Sequence, residues 1–200
     1  MIALIDYGAG NLTSVRKGFA AAGADLFTPA NPAELGKARG IVVPGVGNFA
    51  ATAALEGSWT DAIRESIGHG VPLLGICLGL QWLFEGSEEA PEVKGLGAIA
   101  GRCKKLPKRE GLKVPHVGWN SLHVPRPSRL LQGVDENTQV YFTHSYAAPV
   151  TTEAAATCEH GATFAAAVET GGIFGVQFHP EKSSDAGIRI VRNFVTATRT

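Results

Sequence analysis

Short apolar runs alternate with longer amphipathic stretches through the first half of the 200-residue chain. The apolar runs predict strands over residues 2–6, 24–27, 40–43 and 72–76. The stretches between them predict helices over residues 12–23, with Asn11 as N-cap, over residues 50–67, and from residue 78 onward. Continuous apolar strands separated by helices are typical of a parallel sheet covered on both faces. The pattern therefore predicts an α/β fold with an open, doubly wound, mostly parallel sheet.

The second half of the chain has shorter strand candidates and frequent glycine and proline. These candidates lie at residues 98–106, 116–124, 139–147, 154–160 and 163–169. The sequence ETGG at 169–172 predicts a hairpin turn into a strand over 173–179, so antiparallel strands are expected beside the parallel ones. Ile188, Val191 and Val195 at helical spacing predict a C-terminal helix over 184–197 that packs on the sheet.

Composition limits the class of protein. The length suits one domain with a sizeable core, and no repeat or linker interrupts it, so a single domain over residues 1–200 is expected. The formal net charge is zero, with 18 basic and 18 acidic side chains, which argues against nucleic acid or an anionic membrane as a general partner. The basic stretch 104–113 fits a solvated turn as well as a local binding patch.

Targeting and redox signals are weak. No apolar run reaches the roughly 18 residues that a membrane-spanning helix needs, and the N-terminus lacks the basic start of a signal peptide. Cys77, Cys103 and Cys158 are odd in number, far apart and without CxxC spacing. They suit reduced thiols in a cytoplasm better than a disulfide framework or a metal site, so we expect a cytoplasmic protein with no metal and no cofactor.

The segment GICLGLQ, residues 75–81, places Cys77 between a buried strand and a helix. A nucleophile on a tight strand-to-helix turn needs glycines, because a side chain at Gly75 or Gly79 would collide with the neighbouring strand or helix. A thiol with the usual pKa of about 8.5 also needs a helix N-terminus and a base to react at neutral pH. The alternative is a small core cysteine, which is the more common role of cysteine in an apolar context.

Two further segments carry candidate chemistry. In IFGVQFHPEKS, His179 ends a strand before Pro180, and Glu181 could orient its imidazole as the base for a thiol; the alternative is a structural hydrogen bond at a strand end. In VVPGVGNF, residues 42–49, glycines flank Val46, so its backbone amides could form an oxyanion hole with the amide of Leu78. An ordinary loop between strand and helix would also carry glycine.

Together GICLGLQ, PGVG and HPE resemble the class I, triad-type glutamine amidotransferases, whose sheet is flavodoxin-like. IDYGAGN (5–11), PGVGNF (44–49), HVGWN (116–120), THSYA (143–147) and HPEKS (179–183) narrow the resemblance to the glutaminase subunit of imidazole glycerol phosphate synthase, of histidine biosynthesis. The resemblance covers essentially the whole chain. Leu80 and Thr143 depart from the methionine and the aliphatic residue common at these positions, and neither touches the proposed chemistry.

The resemblance implies a set of roles. Cys77 attacks the carboxamide of L-glutamine to give a thioester and ammonia, and water then releases glutamate. His179 acts as base and then acid, and Glu181 orients it. The other implied site residues are Val46, Gly47 and Leu78 for the oxyanion hole, with the Val46 peptide reorienting before it acts, and Gln81, Ser145 and Tyr146 for the substrate, with Gly47 also beside it.

The resemblance also implies a partner, a separate (β/α)8-barrel cyclase that forms a heterodimer with this chain. That subunit would receive ammonia and make imidazole glycerol phosphate and the aminoimidazole carboxamide ribonucleotide. Asn11, Trp119, Tyr141 and Lys182 would face it. The alternatives are an N-cap for Asn11, core aromatics for Trp119 and Tyr141, and a solvated lysine for Lys182.

Other classes fit less well. The glutaminase of pyridoxal phosphate synthase carries a Gly-Gly-Glu-Ser-type loop that is absent here, and the anthranilate and carbamoyl phosphate types match HVGWN less well. A flavodoxin-like binding module, or an amidotransferase-like protein without catalysis, typically lacks the cysteine or the histidine. A thiol hydrolase or peptidase on a related fold is disfavoured by the HPE order and the PGVG loop.

Overall fold

The computed structural model describes residues 1–199, which contain thirteen strands and four α-helices. The strands are β1 (Ile2–Leu4), β2 (Leu26–Phe27), β3 (Gly40–Val43), β4 (Leu73–Ile76), β5 (Gly86–Ser87), β6 (Ala90–Lys94), β7 (Arg102–Lys105), β8 (His116–Ser121), β9 (Gln139–His144), β10 (Tyr146–Ala147), β11 (Ala154–Glu159), β12 (Thr163–Thr170) and β13 (Ile173–Val176). The α-helices are α1 (Leu12–Ala21), α2 (Ser58–Gly68), α3 (Leu78–Leu83) and α4 (Ser184–Ala197). Short 3-10 helices cover Pro32–Lys37, Phe49–Leu55 and Pro180–Lys182.

The central sheet has seven strands in the order β11-β12-β13-β4-β3-β1-β2. The five strands from β13 to β2 are parallel, and β12 and β11 extend the sheet as antiparallel neighbours. This arrangement confirms the mostly parallel sheet and the antiparallel additions expected from the sequence. Helix α1 lies on one face with α4, where the rings of Phe19 and Phe194 meet edge to face at 6.3 Å. Helices α2 and α3 pack on the other face through Ile63 and Leu80.

Two smaller sheets cover the carboxyl edge of the parallel strands. One contains β10-β7-β5-β6, and the other is the antiparallel hairpin of β8 and β9. In that hairpin Trp119 lies opposite Tyr141, and His116 lies opposite His144. The hairpin therefore brings the HVGWN and THSYA segments side by side, although more than twenty residues separate them in sequence.

The single helix predicted over residues 50–67 is wrong. A 3-10 helix over Phe49–Leu55 is followed by a break, and α2 starts only after Gly57. Gly57 has φ +73°, in the left-handed region that glycine adopts without steric cost, so the chain turns there instead of continuing as one helix. Phe49 and Leu55 are both fully buried, which fixes the first segment against the core.

Other element boundaries differ by smaller amounts. The strand expected over 24–27 shortens to β2, and the one expected over 98–106 shortens to β7, so the basic stretch 104–113 begins inside a strand. The hairpin of β5 and β6 was not predicted. The turn expected at ETGG is confirmed, with β12 ending at Thr170 and β13 starting at Ile173. None of the helices within residues 1–199 is long and apolar enough to cross a membrane.

Candidate active site

Cys77 lies on a sharp turn between β4 and α3. Its φ of 54° and ψ of −104° are strained for a residue with a side chain. A Cβ on Gly79 would lie 1.8 Å from the Val43 carbonyl oxygen, and one on Gly75 would lie 2.5 Å from the Gly79 carbonyl oxygen. Helix α3 therefore crosses β3 and β4 at a distance that only glycine permits, which confirms the steric role predicted for both glycines.

The Cys77 sulfur is buried, with the residue 4% exposed. Its Sγ donates to the Thr143 carbonyl oxygen at 3.9 Å and accepts a hydrogen bond from Gln177 Nε2 at 3.7 Å. Cys103 and Cys158 are also buried and unpaired, and burial raises the pKa of each thiol, that of Cys158 to about 12. These two cysteines are therefore held as unreactive thiols.

His179 and Glu181 lie at the end of β13, the parallel neighbour of β4. His179 Nδ1 and Glu181 Oε1 are 2.8 Å apart, and their side chains are 3% and 4% exposed. Because a carboxylate can only accept, Nδ1 carries the hydrogen and Nε2 is left for another group. Within residues 1–199 Nε2 has no hydrogen-bond partner. Gly18 of α1 makes room for this pair, since a Cβ there would lie 3.1 Å from Glu181 Cβ.

The electrostatics of His179 favour its protonated form. Burial lowers the pKa of His179, but the Nδ1 hydrogen bond to Glu181 and the charges of Cys77 and Glu181 outweigh burial and raise the pKa to about 10. The imidazole is thus placed to hold a proton taken from the thiol.

A cavity of about 200 Å³ opens beside the sulfur. It is lined by Gly47, Cys77, Leu78, Gln81, Glu89, Pro115, Thr143, His144, Ser145 and Tyr146. The residues predicted for the substrate, Gln81, Ser145 and Tyr146, therefore all lie in its wall. Gln81 Nε2 donates to the Tyr146 carbonyl oxygen at 2.8 Å, whereas Gln81 Oε1 makes no hydrogen bond within residues 1–199.

Glu89 is a lining residue that sequence reasoning missed. Its Oε2 accepts from the Phe49 amide at 2.8 Å, which ties the β5–β6 turn to the segment after the PGVG loop. From the sequence alone Glu89 cannot be distinguished from its acidic neighbours Glu85, Glu88 and Glu92. Only the folded β5–β6 hairpin turns this one carboxylate toward the cavity.

The PGVG loop lies directly above the turn at Cys77. Gly47 has φ +101°, and Val46 is 40% exposed. The Leu78 amide donates to the Gly45 carbonyl oxygen at 3.3 Å. In this conformation a carbonyl oxygen therefore stands beside the amide that was predicted to bind an oxyanion, and the roles of Val46, Gly47 and Leu78 stay predictions.

His144, in the cavity wall, forms a buried pair with His116. His144 Nδ1 donates to the Tyr146 carbonyl oxygen at 3.0 Å, so its Nε2 must accept, and it does so from His116 Nδ1 at 3.0 Å. His116 Nε2 in turn accepts from Asn120 Nδ2 at 3.2 Å. Each hydrogen bond determines the tautomer of the next ring, and all three hydrogen bonds can form together only if both imidazoles are neutral.

The pKa values agree with neutral rings. Burial, followed by the charge of His160, lowers the pKa of His116 to about 4. At His144 burial outweighs the hydrogen bond to Tyr146 and lowers the pKa to about 3. Within residues 1–199 no group of three or more His, Cys, Asp or Glu side chains is placed to hold a metal ion.

Acid is therefore expected to destabilise the fold from about pH 6.5 downward. The unfolded chain takes up protons at His116 and His144 near pH 6.5, whereas the folded chain does so only near pH 4 and pH 3, so each costs about 1.4 kcal/mol per pH unit across that interval. His179 has the opposite sign, because its raised pKa adds stability that is complete below pH 6.5 and is lost as the pH rises toward 10. The free energy of unfolding in urea, measured from pH 8 to pH 4.5, checks this.

His116→Gln should reduce the loss of unfolding free energy per pH unit by the contribution of one histidine. His69→Gln, at an exposed histidine on the opposite edge of the sheet, should leave that loss unchanged. A free energy of unfolding that is flat between pH 6.5 and pH 4.5 would contradict the neutral pair.

Three of the four residues predicted to face a partner, Trp119, Tyr141 and Lys182, lie on or beside the β8–β9 hairpin. Trp119 is 51% exposed, and its ring meets Tyr141 edge to face at 6.1 Å. Lys182 Nζ lies 5.7 Å from the centroid of the Tyr141 ring. Trp119 is thus a surface residue and not a core aromatic. Asn11 caps α1, accepting from the Ser14 amide at 3.1 Å, and is also exposed.

Comparison with known proteins decides the family. The model of the family described as glutamine amidotransferase class-I matches residues 3–198. The chain belongs to this family. It is thus a glutamine amidotransferase, and the resemblance stated from the motifs is confirmed.

Curated relatives narrow the assignment. "Imidazole glycerol phosphate synthase subunit HisH" of Moorella thermoacetica is 47% identical over 197 residues, covering 96% of this chain and 93% of the relative. The protein of the same name from Methanothermobacter thermautotrophicus is 46% identical over 201 residues, covering 100% of both. At this identity and coverage the amidotransferase belongs to the HisH branch of the family.

Solved structures support the fold. A crystal structure of a glutamine amidotransferase superposes with a TM-score of 0.78 at 17% identity, covering 100% of both chains. PurLQS from Thermotoga maritima superposes with a TM-score of 0.76 at 16% identity, covering 98% of this chain and 97% of that one. At these identities the likeness concerns the fold alone, which is that of a class I glutamine amidotransferase domain.

Proposed function

We propose that this amidotransferase hydrolyses L-glutamine at Cys77 and passes the ammonia to a (β/α)8-barrel cyclase subunit of imidazole glycerol phosphate synthase. The observation that carries the chemistry is the buried His179–Glu181 pair, which lies close enough to interact electrostatically with Cys77, a residue in the wall of a small cavity. A nucleophile, a base and an orienting carboxylate in this order are the elements of a cysteine acyl transferase.

The reaction follows from the roles of these three side chains. Cys77 gives its proton to His179 Nε2, and the sulfur attacks the carboxamide carbon of glutamine, forming a C–S bond. The C–N bond then breaks as His179 returns the proton to the leaving nitrogen, giving ammonia and a thioester. Water, deprotonated by His179, attacks the thioester and forms a C–O bond. The C–S bond then breaks, His179 returns the proton to the Cys77 sulfur, and glutamate is released. Glu181 holds the Nδ1 hydrogen throughout, which keeps Nε2 directed at the reacting groups.

Substrate binding is assigned to the cavity wall. Gln81 Oε1 makes no hydrogen bond within residues 1–199, so it can accept from the α-ammonium group of glutamine, and the backbone of Ser145 and Tyr146 can hold the carboxylate end. Glu89 adds a negative charge for the ammonium group. The oxyanion would be stabilised by the amides of Leu78 and the PGVG loop once the Gly45 carbonyl turns away from Leu78.

The partner proposal rests on the relatives' name and on the exposed surface. Those relatives are named as a subunit, which implies a second chain in the same enzyme. Val117 and Trp119, 58% and 51% exposed, lie on one face of β8, and Tyr141 and Lys182 adjoin it. An apolar face at this edge suits a barrel that takes ammonia directly, since ammonia released into water would be protonated and lose its nucleophilicity.

A one-to-one heterodimer, one domain over residues 1–200 and a cytoplasmic location remain predictions. The three unpaired cysteines fit a reducing compartment.

The function is tested by glutamate release from L-glutamine, measured for the chain alone, with the cyclase barrel, and with the barrel plus its nucleotide substrate. We expect the complete mixture to be stimulated strongly over the chain alone. If the chain alone released glutamate at an appreciable rate that the barrel did not change, the glutaminase assignment would stand and the proposed partner would be wrong.

Trp119→Ala is expected to weaken binding to the barrel by about 10- to 100-fold, because exposed aromatic anchors carry much of the energy of such interfaces. Val150→Ala is the matched control, since Val150 is 49% exposed but lies outside the hairpin. Titration calorimetry of the two variants against the barrel measures the difference. Equal affinities for the two variants would show that the β8–β9 face is not the docking surface.

A further inference from the structure

Gln177 is a buried polar residue that the proposed mechanism leaves unused. It follows β13, is fully buried, and lies two residues before His179. Its backbone amide donates to the Ala166 carbonyl oxygen at 2.8 Å, so the backbone is fixed by β12. The fixed backbone directs the Gln177 side chain toward the sulfur of Cys77, 100 positions away in sequence.

The orientation of the Gln177 amide is fixed by its neighbours. The Tyr146 carbonyl oxygen can only accept, so the Gln81 atom 2.8 Å away must be Nε2. The other hydrogen of Gln81 Nε2 is directed at Gln177 3.2 Å away, which must then present Oε1. Rotating the Gln177 amide by 180° would set two donors against each other. Gln177 is consequently left with one arrangement, in which Nε2 faces the sulfur.

The two groups on the Cys77 sulfur favour different protonation states. The Thr143 carbonyl oxygen, 3.9 Å away, can accept from the thiol but repels a thiolate. The Gln177 Nε2–H, 3.7 Å away, is a donor, and its attraction grows when the sulfur becomes negative. Within residues 1–199 it is the one side-chain amide that hydrogen-bonds this sulfur. Ionisation should therefore draw the sulfur from Thr143 toward Gln177.

We propose that Gln177 is a further catalytic residue, whose Nε2–H stabilises the Cys77 thiolate before attack and is itself aimed by the Gln81–Tyr146 contact. The inference rests on the proposed role of Cys77. Gln81 and Tyr146, whose contact orients Gln177, also line the glutamine cavity. Gln177 therefore connects the wall of that cavity to the nucleophile. The amide donates to the sulfur in the free enzyme and releases it as the C–S bond forms.

The test measures the reactivity of Cys77 without any glutamine. The rate of alkylation of Cys77 by iodoacetamide, followed by mass spectrometry from pH 5 to pH 9, reports the thiolate fraction. Gln177→Met keeps the length of the side chain but lacks the donor. We expect the rate at pH 6 to fall on the order of tenfold relative to the rate at pH 9, a loss typical of a charge-assisted hydrogen bond.

Val176→Ala is the matched control, since it loosens the same strand without removing a donor. We expect its pH profile to match the parent protein. A Gln177→Met profile identical to that of the parent would overturn the proposal, and so would an equal shift in Val176→Ala. Because this readout needs no turnover, a failure of the glutaminase assignment would appear separately, as absent glutamate release with an intact alkylation profile.

A second measurement applies if Gln177→Met does not fold. In the ¹⁵N-labelled chain, the side-chain amide proton of Gln177 that faces the sulfur should move upfield in Cys77→Ala, because its acceptor is gone. The side-chain amide of Gln139, which donates to Ser121 Oγ on the surface, should stay in place. An unchanged Gln177 signal would overturn the hydrogen bond.

Discussion

Replacing Cys77 by alanine is expected to lower glutamate release at least about 10⁴-fold in the presence of the cyclase barrel and its substrate. A methyl group cannot form the C–S bond, and His179 then has no proton to take. Alanine fills nearly the same space at a residue that is 4% exposed, so the fold should persist, with the free energy of unfolding within about 1 kcal/mol of the parent. Steady-state glutamate release and urea unfolding check the two parts.

Cys158→Ala is the control for this change. Cys158 is equally buried, at 3%, but lies on β11 away from the cavity. We expect its glutamate release to match the parent within about twofold. Persistent glutamine hydrolysis in Cys77→Ala, at more than about a hundredth of the parent rate, would mean that another group is the nucleophile.

Replacing Gly79 by alanine is expected to cost at least about 3 kcal/mol of stability, enough to unfold a marginal domain. The new Cβ would lie 1.8 Å from the Val43 carbonyl oxygen, so α3 would have to move off β3 and carry Cys77 with it. The neighbouring atoms are backbone and cannot yield by rotating a side chain. Urea unfolding measures the loss, and glutamate release should fall in the fraction that stays folded.

Gly68→Ala is the matched helical control. Nothing lies within 4 Å of a Cβ at Gly68, and alanine in a helix is favoured over glycine by up to about 1 kcal/mol. Both variants replace glycine by alanine, but Gly79→Ala should lower the free energy of unfolding and Gly68→Ala should raise it. If Gly79→Ala were as stable as Gly68→Ala, the close crossing of α3 and β3 would be wrong.

Features that depend on short sequence motifs could be predicted from the sequence. The capping of α1 by Asn11 and the order His179–Pro180–Glu181 act over a few residues, so their structural consequences could be predicted without the fold. The glycines around Cys77 predicted a close crossing, but only the fold shows that the Val43 carbonyl group is what Gly79 approaches. The parallel sheet followed from continuous apolar runs, whose burial on both faces is visible in the pattern itself.

What could not be predicted depends on contacts between distant segments. The break at Gly57 arises where Phe49 and Leu55 are anchored in the core, although the local composition favours one helix. Strand β5 is only two residues long and pairs with β7 through Gly86 and Arg102, so it leaves no periodicity.

The contacts of the buried polar side chains also join distant segments, so they could not be predicted from the sequence. Gln177 reads as part of an apolar strand, and its acceptor lies 100 positions away. His116 and His144 are cross-strand partners in a hairpin whose register comes from the fold. Their mutual tautomers, and the low pKa of each ring, follow only once both are buried together.

The central claim, that Cys77 carries the glutamyl group of glutamine as a thioester, is tested most directly by trapping that intermediate. The complex of the chain with the cyclase barrel and its nucleotide substrate would be mixed with glutamine, quenched in acid during turnover, and digested for mass spectrometry. We expect a peptide that contains Cys77 and is heavier by one glutamyl group, and we expect no such adduct in Cys77→Ala. Turnover without any adduct at Cys77, or an adduct on Cys103 or Cys158 instead, would contradict the claim.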